Sequence, residues 1–386
     1  MKSLLLVVSA LSVYVSLAVS INPSFTPEAV RGYKAKADAG DAEAQCLYSM
    51  ALANGIGIAK NQSQAFVYAK KAVDQGSKRV LHLLGLGYEN GWGVKSNAVK
   101  AAECYSRFVS WTKPMAEQGD AVAQYNLGWM YASGHGVEKD EAEAVRWYRK
   151  AADQGNAQAQ YYLGWMYANG LGVEKNIAEA VRLYRKSAEQ GEPQAQYYLG
   201  WMCAKGRGVE KDEAEAVRWY RKAADQENAQ AQYYLGWMYA NGLGVEKDIA
   251  EAVRLYRKSA EQGEPQAQNS LGWMYENGRG VEKDEAEAVR WYRKSADQGN
   301  VWGQASLGVM YANGRGIEKD EAEAVRWYRK AADQGDAQAQ NNLAWMYENG
   351  LGVKKDEAEA VRWYRKAADQ GYSLAKNNLV RIEGAK

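Results

Sequence analysis

The most reactive side chains of this chain belong to two histidines and three cysteines, and none of them stands in a pattern typical of catalysis. The sequence contains no H-E-x-x-H and no C-x-x-C pattern, the spacings that place ligands around zinc. It also has no G-x-S-x-G turn, which would present a nucleophilic serine. His135 lies between two glycines, and we interpret it as a surface residue of a loop. The sequence therefore predicts no catalytic residue, no metal and no cofactor.

Aromatic pairs are the stronger candidate for a functional site. Tyrosine and tryptophan recur four residues apart, as in Tyr161 and Trp165, a spacing that brings two side chains to one face of a helix. Such large, rigid and half-polar rings suit the binding of a peptide or a glycan. The alternative is that the tryptophans pack against the next helix and belong to the core. The predicted binding residues are Tyr125, Trp129, Tyr161, Trp165, Tyr197, Trp201, Tyr233, Trp237 and Trp273.

The aromatic residues recur because the sequence repeats itself every 36 residues. A fixed period of this size indicates a repeat array, in which units stack because one unit cannot bury its apolar surface alone. In the later units Asn269, Ala305 and Asn341 replace the tyrosine, so we expect the binding surface to become less aromatic toward the C-terminus. Val309 fills the one gap in the tryptophan series, which comprises Trp129, Trp165, Trp201, Trp237, Trp273 and Trp345.

One unit, residues 155–190, has the pattern of two helices joined by a turn. Asn156 can cap the first helix through its side-chain oxygen, and glycines in the loop 169–172 end it. The second helix covers about residues 177–189, and Gly191 closes it. Repetition of this unit predicts an all-α fold with about twenty antiparallel helices in helix-turn-helix repeats.

Two local features of the unit make specific predictions. On the first helix, Leu163 and Met166 should face the partner helix, whereas Tyr161 and Trp165 should face away from it. Glu227 stands where other units have the closing glycine. A non-glycine residue in left-handed geometry costs about 1 kcal/mol or more, so either the neighbouring units absorb this strain or the turn changes its type.

The repeat resembles the Sel-like repeat (SLR) family, a relative of the tetratricopeptide repeats. The resemblance rests on the pattern A-x-x-x-L-G-x-x-Y-x-x-G-x-G-V followed by A-x-x-x-Y-x-x-A-A-x-Q-G, which recurs nine times. It implies an α/α superhelical solenoid whose first helices line the concave side, so that the aromatic face becomes a concave groove. Members of this family typically act as adaptors for other proteins. One matching unit contains Ala123, Leu127, Gly128, Tyr131, Gly134, Gly136, Val137, Ala144, Tyr148, Ala151, Ala152, Gln154 and Gly155.

Cysteine usage separates this chain from one branch of that family. A cysteine-rich bacterial branch ties each helix pair with a disulfide, and some of its members resemble penicillin-binding or β-lactamase proteins. Here Cys46, Cys104 and Cys203 occupy different places in their units, so recognition of β-lactams is only a further alternative. Cys46 and Cys104 could pair in an oxidising compartment, whereas Cys203 replaces a tyrosine and should be buried.

The repeats divide the chain into five segments. The second divergent repeat carries seven extra residues around 104–114. Seven residues are close to two helical turns, so its second helix should lengthen, and Pro114 should kink or break it. The segments are a signal peptide (1–20), an N-terminal capping half repeat (21–39), two divergent repeats (40–118), seven regular repeats (119–370) and a C-terminal capping helix (371–386).

The first twenty residues predict export. They combine a basic start at Lys2, an apolar run and a small-residue end at Ser20, which is typical of a signal peptide cleaved near Ser20. The alternative is an uncleaved anchor, although the apolar run is slightly short of the ~20 residues that a membrane span needs. We expect a mature protein that is periplasmic or secreted and is not inserted in the membrane.

Charge and internal duplication narrow the function further. The chain has 49 basic and 47 acidic residues, without the basic excess of a nucleic-acid binder. Residues 137–196 and 209–268 differ only at Gly155/Glu227 and Asn176/Asp248. Because the surface residues of two units are copied almost unchanged, the length and curvature of the array should matter more than any single side chain. This favours a scaffold over an enzyme. We therefore predict an exported scaffold or adaptor that binds other proteins or extended peptides, with binding of cell-wall glycan or peptidoglycan fragments as the alternative.

Overall fold

The structure is a computed structural model that describes residues 25–384, so the predicted signal peptide lies outside the described residues. These residues form twenty α-helices and no strand. None of the helices within residues 25–384 has the length and apolar character needed to cross a membrane. The predicted all-α fold is confirmed.

The helices alternate between the first and the second helix of a repeat. The first helices are α2 (Ala42–Asn54), α4 (Leu81–Asn90), α6 (Ala121–Ser133), α8 (Ala157–Asn169), α10 (Pro193–Lys205), α12 (Ala229–Asn241), α14 (Pro265–Asn277), α16 (Val301–Asn313), α18 (Ala337–Asn349) and α20 (Ser373–Gly384). The second helices are α1 (Pro27–Asp38), α3 (Gln62–Asp74), α5 (Ala98–Glu117), α7 (Glu141–Asp153), α9 (Ile177–Glu189), α11 (Glu213–Asp225), α13 (Ile249–Glu261), α15 (Glu285–Asp297), α17 (Glu321–Asp333) and α19 (Glu357–Asp369).

The chain divides into two compact units. The first comprises the described residues up to Leu199 together with Arg207–Val209, and the second comprises Gly200–Gly206 and the residues from Glu210 onward. Within each unit a first helix packs against the second helix that follows it, and consecutive pairs stack, as α6 with α7 and α7 with α8 do in the first unit. Each unit is therefore a stack of helix pairs, the architecture of an α/α solenoid.

The predicted helix boundaries are confirmed in the repeat at 155–190. The Oδ1 atom of Asn156 accepts a hydrogen bond from the backbone N–H of Ala159 at 2.8 Å, which satisfies one of the free donors at the start of α8. Gly170 ends α8 in left-handed geometry with φ 70°. The same capping bond is made at the start of other first helices by Asp41, Asp120, Asn228, Asn300 and Asp336.

Glu227 adopts the left-handed conformation that glycine adopts at the same position of the other repeats. Its φ is 63°, and among the described residues it is the non-glycine residue with a positive φ. Its backbone N–H still donates to the carbonyl of Ala224 at 3.0 Å. The turn thus keeps its type and carries the predicted strain, since a side chain in this region crowds the neighbouring carbonyl.

A glycine in most of the first helices allows the two helices of a pair to approach closely. A Cβ atom at Gly164 would lie 3.2 Å from the ring of Tyr184 and 3.2 Å from the carbonyl oxygen of Ala180. Tyr184 is one of the largest fully buried side chains of the chain. In these pairs a tyrosine ring of the second helix packs directly on a glycine of the first.

The seven-residue insertion lengthens α5 and does not break it. The helix has 20 residues and continues past Pro114 to Glu117, so the prediction of a break is wrong. Proline removes one donor, which would have bonded to the carbonyl four residues before it, and the next turn is not affected. The carbonyl of Pro114 accepts from the backbone N–H of Gln118 at 3.1 Å.

The insertion also shifts the packing register of the next repeat. In a regular repeat, the loop glycine Gly172 abuts the first two residues of the preceding second helix, Glu141 and Ala142. The equivalent Gly136 instead abuts Tyr105 and Ser106, which are seven residues further along α5. The repeat that begins with α6 is therefore displaced along α5 by about two turns, or ~10 Å.

Candidate functional site

Exposure of the repeated tryptophans increases along the chain. In the first unit Trp129 is 2% exposed and Trp165 is half-buried. In the second unit Trp201 is half-buried. The rings with the greatest exposure at this repeat position are Trp237 (41%), Trp273 (41%) and Trp345 (47%). We call these three residues, together with Val309 at the same repeat position, the tryptophan row.

Trp129 belongs to the core, so the prediction that it lines an open surface is wrong. The ring of Trp129 lies 5.0 Å from the imidazole of His135, which stacks on Tyr105 at 4.3 Å. His135 is only 8% exposed, which also corrects its interpretation as a surface residue. The displaced packing on α5 explains both, because Tyr105 occupies the place that the first residue of a second helix, such as Glu141, takes in a regular repeat.

The histidine also contacts a carboxylate. His135 Nε2 lies 3.4 Å from Glu89 Oε1, and Tyr105 donates its hydroxyl hydrogen to Glu89 Oε2 at 2.8 Å. The contact with His135 and the bond from Tyr105 hold the pKa of the Glu89 carboxyl below its usual range. This cluster joins α4, α5 and the loop after α6, which is a structural role.

The predicted tyrosines of the groove lie between helices. Tyr125, Tyr161 and Tyr197 are buried, and Tyr233 is half-buried. The ring of Tyr161 lies 5.8 Å from that of Tyr184 on the partner helix α9, so the prediction that it faces away from this helix is wrong. A first helix has its partner helix on one side and neighbouring repeats on others, and a period of 3.6 residues cannot distinguish these surroundings.

Stacked tyrosines form the junctions between these repeats. Tyr161 also lies 5.8 Å from Tyr198, which stacks on Tyr184 at 5.7 Å with 12° between the ring planes. Burial raises the pKa of the Tyr161 phenol well above its ordinary value, so the ring remains neutral in the core. The accessible part of the predicted site is therefore its tryptophans in the second unit.

The tryptophan row carries an amide beside each exposed ring. Four residues after each tryptophan, an exposed asparagine donates its side-chain N–H to the tryptophan carbonyl, with distances of 2.7 to 2.9 Å, and these asparagines are Asn241, Asn277 and Asn349. The bond fixes the last turn of the helix. The amide oxygen of these exposed asparagines can still accept a hydrogen bond.

A further exposed ring, Trp302, was not among the predicted residues. It is 56% exposed and lies seven residues before Val309 on α16. Seven residues are close to two turns, so Trp302 is on the same face as Val309 but ~10 Å nearer the start of the helix. Two features of the sequence could have identified Trp302. The tryptophan of the repeat is missing at Val309, and an additional tryptophan stands two turns earlier on the same helix.

Two carboxylates that lie three residues after tryptophans of the row are paired with arginines. Glu276 contacts Arg315 at 2.9 Å, and Glu348 binds Arg381 through both oxygens at 2.6 and 2.7 Å. The pairing with Arg381 holds the pKa of Glu348 below its usual range. The guanidinium of Arg279 lies over the ring of Trp273 at 5.4 Å.

The described residues offer no alternative site based on metal or thiol chemistry. Within residues 25–384, no group of three or more histidine, cysteine or acidic residues could hold a metal ion. Cys46, Cys104 and Cys203 are buried, and Cys46 and Cys104 do not form a disulfide. The prediction that Cys203 is buried is confirmed. Burial raises the pKa of the Cys46 thiol, which makes it a poor nucleophile.

Comparison with protein families identifies the repeat. The model described as Sel1 repeat matches nine times and covers most of the chain, at residues 42–77, 80–108, 121–156, 157–192, 193–228, 229–264, 265–300, 303–336 and 337–372. Proteins with this repeat are generally scaffolds that mediate interactions between proteins. A comparison with curated proteins gave no match.

Solved structures agree with the family model. A protective antigen present in uropathogenic Escherichia coli strains, displaying an SLR fold, is 36% identical, with 92% of this chain and 82% of that chain covered and a TM-score of 0.52. A Sel1 repeat protein from Oxalobacter formigenes is 34% identical, with 81% of this chain and 90% of that chain covered and a TM-score of 0.58. The match over nine repeats and the identity to these two proteins establish that the chain is a member of the Sel1 repeat family.

Proposed function

We propose that this protein is an exported scaffold or adaptor that binds other proteins, or extended segments of them, through the first helices of its second unit. The observation that carries the proposal is the tryptophan row, in which Trp237, Trp273 and Trp345 are each exposed by more than two fifths. Tryptophan is enriched among the residues that contribute most to protein interfaces, because it buries a large rigid surface on binding. Its repetition on one face of successive repeats suits a partner that contacts several repeats at once.

The capture of partner proteins from envelope or secreted fractions tests this proposal. We expect the wild-type chain to retain specific partners, and the double variant Trp237→Ala/Trp273→Ala to lose them. The matched control is Val67→Ala, since Val67 is also exposed but lies on the second helix α3 of the first unit. Equal recovery of partners by the double variant and the wild type would refute the proposal.

Binding of glycan is the second candidate function. It is favoured by the position of an exposed amide one turn after each exposed ring, as with Asn241 and Trp237. An aromatic ring can cover the apolar face of a sugar, while an amide oxygen accepts a hydrogen bond from a hydroxyl group. Titration with muropeptides and chito-oligosaccharides should change the tryptophan fluorescence, and a flat titration would eliminate this candidate.

The exported location is part of the proposal and is supported by residues 1–20 alone. We expect the mature protein to begin near residue 21 and to be found in the periplasm or the medium. N-terminal sequencing of the purified protein and fractionation of the producing cells test this. Recovery of an intact N-terminus from the cytoplasm would contradict it without affecting the proposed binding surface.

A further inference from the structure

The start of α5 lacks a cover that most second helices possess. In a regular repeat, a loop glycine of the following repeat lies against the first residue of the second helix, and a Cβ atom at Gly172 would lie 2.1 Å from the carbonyl oxygen of Glu141. Ala98, the first residue of α5, is exposed instead, because Gly136 lies against Tyr105. The regular contact recurs at Gly208 with Ile177, Gly244 with Glu213, Gly280 with Ile249, Gly316 with Glu285 and Gly352 with Glu321.

The uncovered stretch is an apolar groove. Val99 is 69% exposed, and Ala102 is exposed as well. Ala102 is the fifth residue of α5, whereas the fifth residue of α7, Val145, is only 4% exposed. A surface that a regular repeat buries therefore lies open on α5. The groove has a volume of about 730 Å³ and is lined by Ala98, Val99, Ala102, Glu103, Ser106 and Arg107.

A second surface of the same kind lies seven residues further along α5 and is occupied. Tyr105 and Ser106 lie against Gly136 there, and Val109, which takes the place of Ala102 in this set, is 8% exposed. Seven residues correspond to nearly two turns, so the two sets lie on one face of the helix and ~10 Å apart. The loop after α6, at residues 134–137, therefore has two places on α5 against which it can pack.

The first thirteen residues of α5 have the length of a complete second helix. Each of α7 and α9 has 13 residues, whereas α5 has 20. If α5 ended at Ser110, residues 111–117 would connect it to α6, and Pro114 in this segment suits a connection better than the interior of a helix. Of these seven residues, only Thr112 and Ala116 are buried. Loss of the last two turns would therefore remove few core contacts.

The observed register leaves polar atoms of this joint buried without a protein partner. Four side-chain atoms make no hydrogen bond within the described residues, and they are Thr112 Oγ1, Asn126 Oδ1, Trp129 Nε1 and His135 Nδ1. A polar group that is buried without a hydrogen bond is destabilising. These atoms belong to α5, to α6 and to the loop after α6, so a change of register alters the surroundings of all four.

We propose that the joint between α5 and α6 is a switch between two registers. In the observed register α5 has 20 residues and the loop lies against Tyr105. In the second register α5 ends near Ser110, residues 111–117 form a connection, and the loop lies against Ala98 and Val99. Displacement of one element past another by whole helical turns is an established form of conformational switching.

The switch controls access to Trp129. In the observed register the ring of Trp129 lies beside His135, which stacks on Tyr105 at 4.3 Å, and this stacking holds the loop in place. In the second register Trp129 gains the surroundings of its counterpart Trp165, which is half-buried. The first ring of the tryptophan series thus becomes accessible when the register changes. This inference concerns the first unit and is independent of the binding proposed for the second.

Deletion of residues 111–117 isolates the second register. It joins Ser110 to Gln118 and gives Ser-Gln-Gly where a regular repeat has Asp-Gln-Gly. In this shortened chain Ala102→Cys should react with a soluble thiol reagent at least about tenfold more slowly than in the full-length chain, because the loop covers it. Glu103→Cys is the control, since its counterpart Arg146 is exposed in a regular repeat, and its rate should change less than about twofold.

A variant of the full-length chain tests the role of His135. His135→Leu introduces the residue found at the same repeat position in Leu171 and removes the stacking on Tyr105. It should therefore populate the second register and slow the reaction of Ala102→Cys several-fold. The three native cysteines are buried, and the reaction of the parent chain gives their background.

A disulfide can trap the second register in the full-length chain. Ala98→Cys with His135→Cys should form a disulfide in a glutathione buffer, because the counterparts of these positions in a regular repeat, Glu285 and Arg315, contact each other. In the observed register the two positions are separated by ~10 Å along the helix, and a disulfide spans no more than about 7 Å between Cα atoms.

Three results would overturn the inference. If Ala102→Cys reacts at the same rate in the shortened chain, or if that chain loses its cooperative thermal unfolding, the start of α5 cannot receive the loop. If the disulfide forms in the shortened chain but not in the full-length chain, α5 has a single register. Slower reaction of Ala102→Cys in the shortened chain, together with the disulfide in the full-length chain, would support the switch.

Discussion

At the scale of single residues, Glu192 has the most unusual environment of the carboxyl groups. It precedes Pro193 at the start of α10. Burial raises the pKa of its carboxyl from 4.5 to about 7, although hydrogen bonds from the backbone of Gln194 and the side chain of Gln158 act in the opposite direction. The folded chain therefore binds this proton more tightly than the unfolded chain between pH 4.5 and about 7. Stability from this group is full below that window and decreases as the pH rises through it.

Glu192→Gln should remove this dependence on pH. Since a unit of pKa shift corresponds to about 1.4 kcal/mol and the residue keeps part of its exposure, we expect the variant to gain about 1–2 kcal/mol in free energy of unfolding at pH 8 and little at pH 4.5. Urea denaturation at the two pH values measures this. Glu189→Gln, at an exposed position of α9, is the control. The same dependence on pH in wild type and Glu192→Gln would contradict the assignment.

The strained turn at Glu227 allows a test within the duplicated segments. Glu227→Gly should raise the free energy of unfolding by about 0.5–1 kcal/mol, because relief of left-handed strain exceeds the added entropy of glycine in the unfolded chain. Gly155 is the counterpart of Glu227 in the other copy, and Gly155→Glu should cost a similar amount. Thermal and urea denaturation measure both. Opposite signs from the two substitutions would confirm the strain, and a loss of stability in Glu227→Gly would disprove it.

At the scale of helices, the junctions between repeats are of two kinds. Around α8 and α10 of the first unit, tyrosines stack, as Tyr184 does on Tyr198 at 5.7 Å. In the second unit, where Asn269 and Ser270 replace two of these rings, Glu276 on α14 reaches Arg315 after α16 at 2.9 Å. The first kind depends on apolar burial, and the second depends on a charge pair that is partly open to solvent.

The two kinds of junction should respond differently to salt. A double-mutant cycle with Glu276→Gln and Arg315→Gln should give a coupling free energy of about 0.5–1 kcal/mol at low ionic strength. This coupling should fall by about half in 0.5 M NaCl, because salt screens partly exposed charges. Tyr161→Leu is the comparison, since its cost arises from lost packing and should not depend on salt. A coupling that is independent of salt would show that the pair acts through its hydrogen bond alone.

The long helix α5 shows how one element changes its neighbours. The seven additional residues do not change its pairing with α4, because the ring of Tyr105 still packs on Gly85. The next repeat, however, packs two turns further along. The length of the helix was predictable because seven residues fill two turns. The new register was not, because the sequence offered two equivalent sets of contacts along one helix.

At the scale of the whole molecule, the two nearly identical segments predict that repeats can be removed. Deletion of residues 173–244 excises two complete repeats, or 72 residues, and joins Gly172 to Val245. The new loop has the sequence of the native one, and stacked repeats contact mainly their neighbours. We expect the shortened chain to keep the helix content per residue and a cooperative thermal transition, as measured by circular dichroism.

A deletion out of phase with the repeat is the control. Removal of residues 173–226, or 54 residues, places one first helix directly after another. This chain should lose its cooperative transition, because two first helices would compete for one position in the stack. Normal folding of this second deletion would show that helix pairing is not required for the array. Partner capture by the in-phase deletion should persist, because it retains Trp273 and Trp345.

The sequence by itself determined the period, the number and bounds of the helices and most of their caps. These features depend on contacts within a few residues, such as the bond from Ala159 N–H to Asn156 or the left-handed geometry of Gly170. The same information was repeated nine times, which is why the family and the fold were predictable from the pattern.

The tertiary structure alone decided which aromatic rings are accessible. Helical periodicity assigns a side chain to a face, but its exposure depends on the neighbouring repeats, whose packing the period does not describe. Trp129 and Trp237 hold the same place in the repeat, yet one is 2% and the other 41% exposed. His135 is buried for the same reason, since the register along α5 sets it against Tyr105. Local interactions therefore define the unit, and the contacts between units define the surface on which function depends.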